Sequence, residues 1–225
     1  KPALLIVDTI FSSDGVYADP EGFLAPAAAA IRKAGGLFLA DEVQPGFGRT
    51  GSRFWGFQRH GLIPDMVSMG KPMGNGYPLA GLALQPRVIA EFGAKARYFN
   101  TFGGNAVAAA VGLAVLDVIR DEALQENAAT VGAALALGLR SLAQRHEALG
   151  DTRAAGLFIG QTILTDGKPD PVRAARLRYK SPRRCHHQPH RPPPPARPPA
   201  QSPVRAECWS SPDARQGHRE TSRLR

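Results

Sequence analysis

Three short apolar runs constrain this chain more than any other feature: ALLIVDTIF (3–11), LFLADEV (37–43) and DMVSMG (65–70). Each has the length of a strand, carries apolar side chains at successive positions, and is bounded by turn-forming or charged residues, the pattern of a buried strand. Between the first two, PAAAAIRKAGG (26–36) opens on proline and closes on glycine, as a helix does. LAGLAL (79–84) reads as a fourth strand. Strands alternating with helices specify an α/β fold with a mostly parallel sheet and flanking helices. Asn105 is placed to cap a long helix over 106–122, a second amphipathic helix is expected over 122–148, and RAAGLFIGQTIL (153–164) reads as a further strand.

That regular pattern fades after about residue 170, and the composition changes with it. Residues 1–168 carry 15 basic and 15 acidic side chains, whereas residues 169–225 carry 13 and 4, so the whole net charge of +9 belongs to the last quarter. The same quarter holds 12 of the 20 prolines, both cysteines (Cys185 and Cys208) and four of the six histidines. A stretch such as HHQPHRPPPPARPPAQSPVR (186–205) offers too few backbone donors for a helix or an interior strand, so a disordered or polyproline-like tail is expected. Its aromatic content is too poor for base stacking, so no specific nucleic-acid partner is expected. The HHQPH cluster beside Cys185 has no standard zinc spacing, and no metal site is expected. No apolar run reaches membrane-spanning length. With no signal-peptide anatomy in KPALLIVD, the sequence reads as a soluble cytoplasmic protein.

The residues able to do chemistry cluster after the strands. Asp41 and Glu42 follow LFLA directly, at the strand exit where open α/β sheets bind ligands. An acid there can stay ionised against a cationic partner such as a protonated pyridine nitrogen; a solvated pair of acids explains the same residues. Lys71 follows DMVSMG in a glycine-rich turn, where partial desolvation would free its amine for Schiff-base chemistry; an ordinary turn lysine is the alternative. FNTFGGNA (99–106) places Thr101, two glycines and Asn105 ahead of a helix, an arrangement suited equally to a phosphate and to a plain helix cap.

In this order, DEVQPGFGRTG (41–51), PDMVSMGKPMGNGYPLAG (64–81) and YFNTFGGNAVAAAVGLAVLDVI (98–119) resemble the class III aminotransferases, a family of pyridoxal 5'-phosphate (PLP) enzymes, over roughly residues 3–165. WGFQRHG (55–61) and the YFNTFGG form are most similar to the subgroup of alanine–glyoxylate aminotransferase 2-like proteins and ethanolamine-phosphate phospho-lyases. The resemblance implies a role for each matching residue. Lys71 would form the internal Schiff base with PLP and shuttle the proton. Asp41 would pair with the pyridinium nitrogen, Val43 would pack on one face of the ring, and Gln44 would stand near its phenolic oxygen. Thr101 would reach the cofactor phosphate of the neighbouring subunit, which implies a homodimer. Glu42 would orient its neighbours rather than react.

Two positions depart from the family pattern. Glu-Pro on the first strand is here Asp8-Thr9, which weakens any pairing with a substrate-gating arginine, and the proline after FGGN is here Ala106. The family's phosphate-binding turn and its ring-stacking aromatic lie upstream of the matched segment, so the chain is expected to be an incomplete piece. The implied organisation is a partial PLP-binding large domain (1–121), a linking helix and the start of a truncated C-terminal α+β domain (122–168), and a basic tail (169–225) that resembles coding sequence read out of frame. The expected activity is transfer of an amino group between an amine or amino acid and a carbonyl acceptor. A phospho-lyase acting on a phosphorylated amino alcohol and an inactive fragment are the alternatives.

Overall fold

The computed structural model describes residues 1–180. The proline-rich stretch at 186–205, the HHQPH cluster, Cys185 and Cys208 lie outside the described residues. The first sheet contains β1 (Leu4–Asp8), β2 (Leu37–Asp41), β3 (Met66–Met69) and β4 (Gly81–Leu84), in that spatial order. β1, β2 and β3 run parallel, with Asp8 opposite Asp41 and Asp41 opposite Ser68; β4 is antiparallel to β3. A mostly parallel sheet is therefore present. Because β1, β2 and β3 share a direction, their C-terminal ends bring Asp8, Asp41 and Ser68 to one edge.

Helix α1 (Ala25–Lys33) carries Pro26 in its first turn and ends before Gly35, as its sequence predicts. It lays Ala28 and Ile31 against Phe38 and Ala40 of β2, with Leu5, Val7, Phe57 and Leu62 around them. Asp65 fastens this layer at its lower end. It is 1% exposed, accepts the Phe38 amide at 2.8 Å, and is paired with Arg32 at 3.4 Å and with Arg87. Burial pushes the Asp65 carboxyl up, but the Phe38 amide and the two arginines outweigh it and hold the group below its ordinary range.

Several elements differ from the sequence expectation. Helix α2 (Pro86–Lys95) stands where none is predicted. Its apolar positions Ile89 and Phe92 remain 42% and 50% exposed, and a two-turn stripe interrupted by Gly93 is too short to read as a period. The strand expected over 153–164 is a hairpin of β5 (Leu149–Ala155) and β6 (Phe158–Thr165). Gly156 makes the reversal with a φ of +56°, and apolar residues on both sides of it hide the turn from a pattern reading. The short β7 (Lys168–Pro169) pairs with β6. Helix α5 (Pro171–Lys180) then forms where periodicity fades, because Asp170 caps it through the Arg173 amide at 2.9 Å and Pro171 suits a first turn.

In sequence, α3 (Ala106–Asp121) and α4 (Leu124–Ala143) lie between the two sheets. Asn105 caps α3 as expected, its side-chain oxygen accepting the Ala108 amide at 2.9 Å. α4 buries the stripe Ala128, Gly132, Ala136 against the hairpin. The fit is backbone to backbone: a Cβ on Gly132 would run into the Gly156 carbonyl, and one on Gly156 would meet the Thr50 carbonyl carbon at 2.5 Å.

Candidate active site

The edge formed by the C-terminal ends of β1, β2 and β3 carries the acids and, three residues beyond Ser68, the lysine. Asp41 closes β2. Its Oδ1 accepts the Ser68 hydroxyl at 3.0 Å and the Val43 amide at 3.1 Å, while its Oδ2 has no hydrogen-bond partner among the described residues. The carboxylate is held from one side and free on the other. Val43 leaves the strand beside it, and its Cγ1 lies 3.7 Å from the position a Cβ would take on Gly70, the residue before Lys71. The apolar side chain and the lysine turn therefore converge. Gln44 turns away, its Nε2 donating to Ser13 Oγ at 2.8 Å.

Lys71 begins a 3-10 turn over Lys71–Met73. Its own φ is +41°, in the left-handed region that non-glycine residues seldom occupy and that is often found at functional sites. The expected partial desolvation is absent in the single chain: Lys71 is exposed. It lines an open cavity of about 670 Å³ with Arg49, Asn75 and Tyr77. No carboxylate lines that cavity, and neither cation has an ion-pair partner among the described residues. Arg49 is fixed there by the face of Phe158, 4.3 Å from its guanidinium, and burial draws its pKa down. An adjoining apolar cleft of about 620 Å³ lies between the 47–49 loop, the 72–77 turn and α3. Arg49 was not singled out from sequence; the feature that marks it is a basic residue between two glycine turns, too common to select it alone.

Glu42 points the opposite way from a reactive acid. It is fully buried and saturated, accepting Thr9 Oγ1 at 3.0 Å, the Gly56 amide at 2.7 Å and the Phe57 amide at 2.8 Å. Burial pushes its pKa up, and these donors only partly offset that. The solvated pair of acids weighed from sequence is thus not what forms. Thr9 also ties in His60, whose Nε2 lies 2.8 Å from the Thr9 carbonyl and whose Nδ1 receives the Gly22 amide at 3.1 Å. That pairing places the ring proton on Nε2. The other departure on the first strand, Asp8, spends its carboxylate on its own loop, accepting the Ile10 and Ser12 amides at 3.1 and 3.0 Å and the Ser12 hydroxyl.

Thr101 is not brought to this edge. It sits in an exposed loop between Phe99 and Phe102, which are 85% and 80% exposed, and Asn100 closes that loop on the Phe102 and Gly103 amides. At the sheet edge a carboxylate with one oxygen held and one unpartnered, and Val43 against the turn that presents Lys71, fit the ring portion of PLP, while Asp41 and Val43 do not line the cavity that Lys71 lines. Among the described residues no group of three or more His, Cys, Asp or Glu could hold a metal ion, and no helix is long and apolar enough to cross a membrane.

Comparison with known proteins identifies the family. The family described as Aminotransferase class-III matches residues 2–179. The chain is 48% identical over 163 residues to alanine–glyoxylate aminotransferase 2 homolog 2, mitochondrial, of Arabidopsis thaliana, covering 72% of this chain and 34% of that protein. It is 46% identical over 153 residues to human alanine–glyoxylate aminotransferase 2, mitochondrial, covering 68% and 30%. The chain thus spans about a third of the length of the curated relatives it matches. Among solved structures, an Arthrobacter phospholyase in complex with phosphoethanolamine superimposes with a TM-score of 0.72 at 41% identity, over 75% of this chain and 41% of that one. Taurine:2-oxoglutarate aminotransferase from Bifidobacterium kashiwanohense, in complex with PLP and glutamate, gives 0.68 at 29% identity, over 73% and 37%.

Proposed function

This chain belongs to the class III aminotransferase family, and on that premise we propose that it carries the lysine-bearing part of a PLP-dependent transaminase, moving an amino group between an amine or amino acid and a carbonyl acceptor. The observation that carries the reading is Asp41, anchored through Oδ1 with Oδ2 open, at the same sheet edge as the turn that presents Lys71. When bound, PLP supplies the electron sink that makes a proton on the substrate α-carbon removable. The protein's share is placement and proton handling. With the cofactor bound, Asp41 Oδ2 would hold a proton at the ring nitrogen, Val43 would cover one ring face, and Lys71 Nζ would hold the cofactor. A free Lys71 Nζ would take up and return the proton of the substrate α-carbon. Gln44 serves the phenolic oxygen after exchanging its present bond to Ser13. Thr101, set on an exposed loop, reaches the cofactor phosphate of a second subunit, so the working form is a homodimer. The expected compartment is the cytoplasm, which fractionation of the source cells checks against the mitochondrial names of the two relatives.

The test is to mix the purified chain with PLP, record the yellow absorption band, reduce with borohydride and map the modified peptide. A pyridoxyl group on Lys71 is expected, and none in Lys71→Ala. A colourless wild-type chain without adduct favours an inactive fragment and sinks the reading for this polypeptide. A second reading, elimination of phosphate from a phosphorylated amino alcohol, is favoured by the acid-free cavity that Arg49 shares with Lys71 and by the likeness to the Arthrobacter phospholyase. Phosphate release from phosphoethanolamine with no carbonyl acceptor present selects it; dependence of turnover on the acceptor selects transamination.

A further inference from the structure

We infer that Ser68 is a positioning residue that holds Asp41 in register with the cofactor ring nitrogen; this rests on the cofactor reading above. Asp41 and Ser68 are direct partners in the parallel pairing of β2 and β3, so their side chains leave the sheet on the same face. The Ser68 hydroxyl donates to Asp41 Oδ1 at 3.0 Å, and the Val43 amide donates to that same oxygen at 3.1 Å. Two donors on one oxygen, one from β3 and one from the turn after β2, hold the carboxylate and leave Oδ2 as the oxygen open to a cation. Ser68 is also bound through its backbone, its carbonyl accepting the Glu42 amide at 2.9 Å. It therefore moves with both acids.

The chemistry of a hydroxyl is what this position needs. A lysine or arginine at 68 would neutralise Asp41 and compete with the ring nitrogen. An apolar residue would leave the carboxylate on the Val43 amide alone, free to swing. A neutral donor stabilises the charge and spares Oδ2. Lys71 follows Ser68 by three residues, so one short segment sets both the amine and the clamp on the acid. The device acts through the ring nitrogen, which separates it from a general contribution to stability.

The experiment compares affinities of the 225-residue chain for PLP and for its 1-deaza analogue, in which CH replaces the ring nitrogen, by equilibrium dialysis. Ser68→Ala is expected to weaken PLP about tenfold, the scale of a hydrogen bond to a charged group, and to change 1-deaza-PLP by at most about twofold. Ser68→Thr is expected to restore wild-type affinity. Ser68→Cys, nearly isosteric and a weak donor, is expected to follow Ser68→Ala, and it decides the matter if circular dichroism shows Ser68→Ala unfolded. Equal losses for both cofactors, or no loss for either, overturn the role of Ser68 while leaving PLP binding intact. A wild-type chain that binds neither cofactor overturns the cofactor reading itself, and this inference with it.

Discussion

Two acids adjacent in sequence are put to opposite uses, and the difference is one of access. Asp41 keeps an oxygen open, whereas Glu42 is enclosed and fully bonded. Replacing Glu42 by alanine strands the Gly56 and Phe57 amides and the Thr9 hydroxyl, and should cost about 3 kcal/mol, read as a fall in the urea midpoint. Glu42→Gln should cost less, because an amide oxygen still accepts. His60 gives the pH dependence. Burial lowers its pKa, the Thr9 carbonyl raises it, Arg59 lowers it and Glu21 raises it, with the net effect downward. A base with a depressed folded pKa stabilises the fold above its unfolded value, near 6.5, and that stability is lost as pH falls through the folded pKa. Glu42, pushed upward, works in the other direction: its contribution is full below its unfolded value and fades as pH rises through the folded one. Denaturation series at several pH values should therefore show a decline on the acid side of 6.5 that flattens in His60→Gln. Asp41 and Lys71 could be picked out at strand ends, and Val43 only through the family resemblance. Ser68 and Thr9 could not, because a hydroxyl in a strand looks the same whether or not a carboxylate faces it.

Elements were legible where a cap or a long period marked them. Asn105 announces α3, and Pro26 with Gly35 brackets α1. Removing the Asn105 cap by alanine should cost about 1 kcal/mol, measured by thermal melting. The hairpin of β5 and β6 was hidden because its reversal rests on one glycine inside an apolar run, and α2 because its stripe covers only two turns. The packing of α4 on that hairpin was invisible for a further reason: it depends on which backbones meet, and a small residue at 132 has many other causes. Gly132→Ala forces a methyl against the Gly156 carbonyl, so it should lower stability by about 1–3 kcal/mol, even though alanine favours helices. An unchanged melting temperature would contradict the close approach of α4 to the turn.

At the scale of the molecule, large apolar side chains are left uncovered along much of the described chain, most of all around 99–102 and on α3 and α4. Phe99 and Phe102 are almost fully exposed, and Leu113 of α3 and Leu135 and Leu137 of α4 are half exposed or more. Apolar surface this extensive usually belongs to an interface. Sedimentation should show concentration-dependent association, and the double change Phe99→Ser, Phe102→Ser should shift it toward monomer with little change in melting temperature. Arg153 adds a different consequence. Its Nε donates to the Gly15 carbonyl at 2.8 Å, its guanidinium stacks on Tyr17, and Ala155 and Phe158 complete the cluster that buries Ile10 and Ala18. The loop at Gly15 is thus closed by a strand 138 residues further along the chain. During synthesis that loop waits for Arg153 to follow it, an interval set by the order of the chain rather than by the stability of the finished fold.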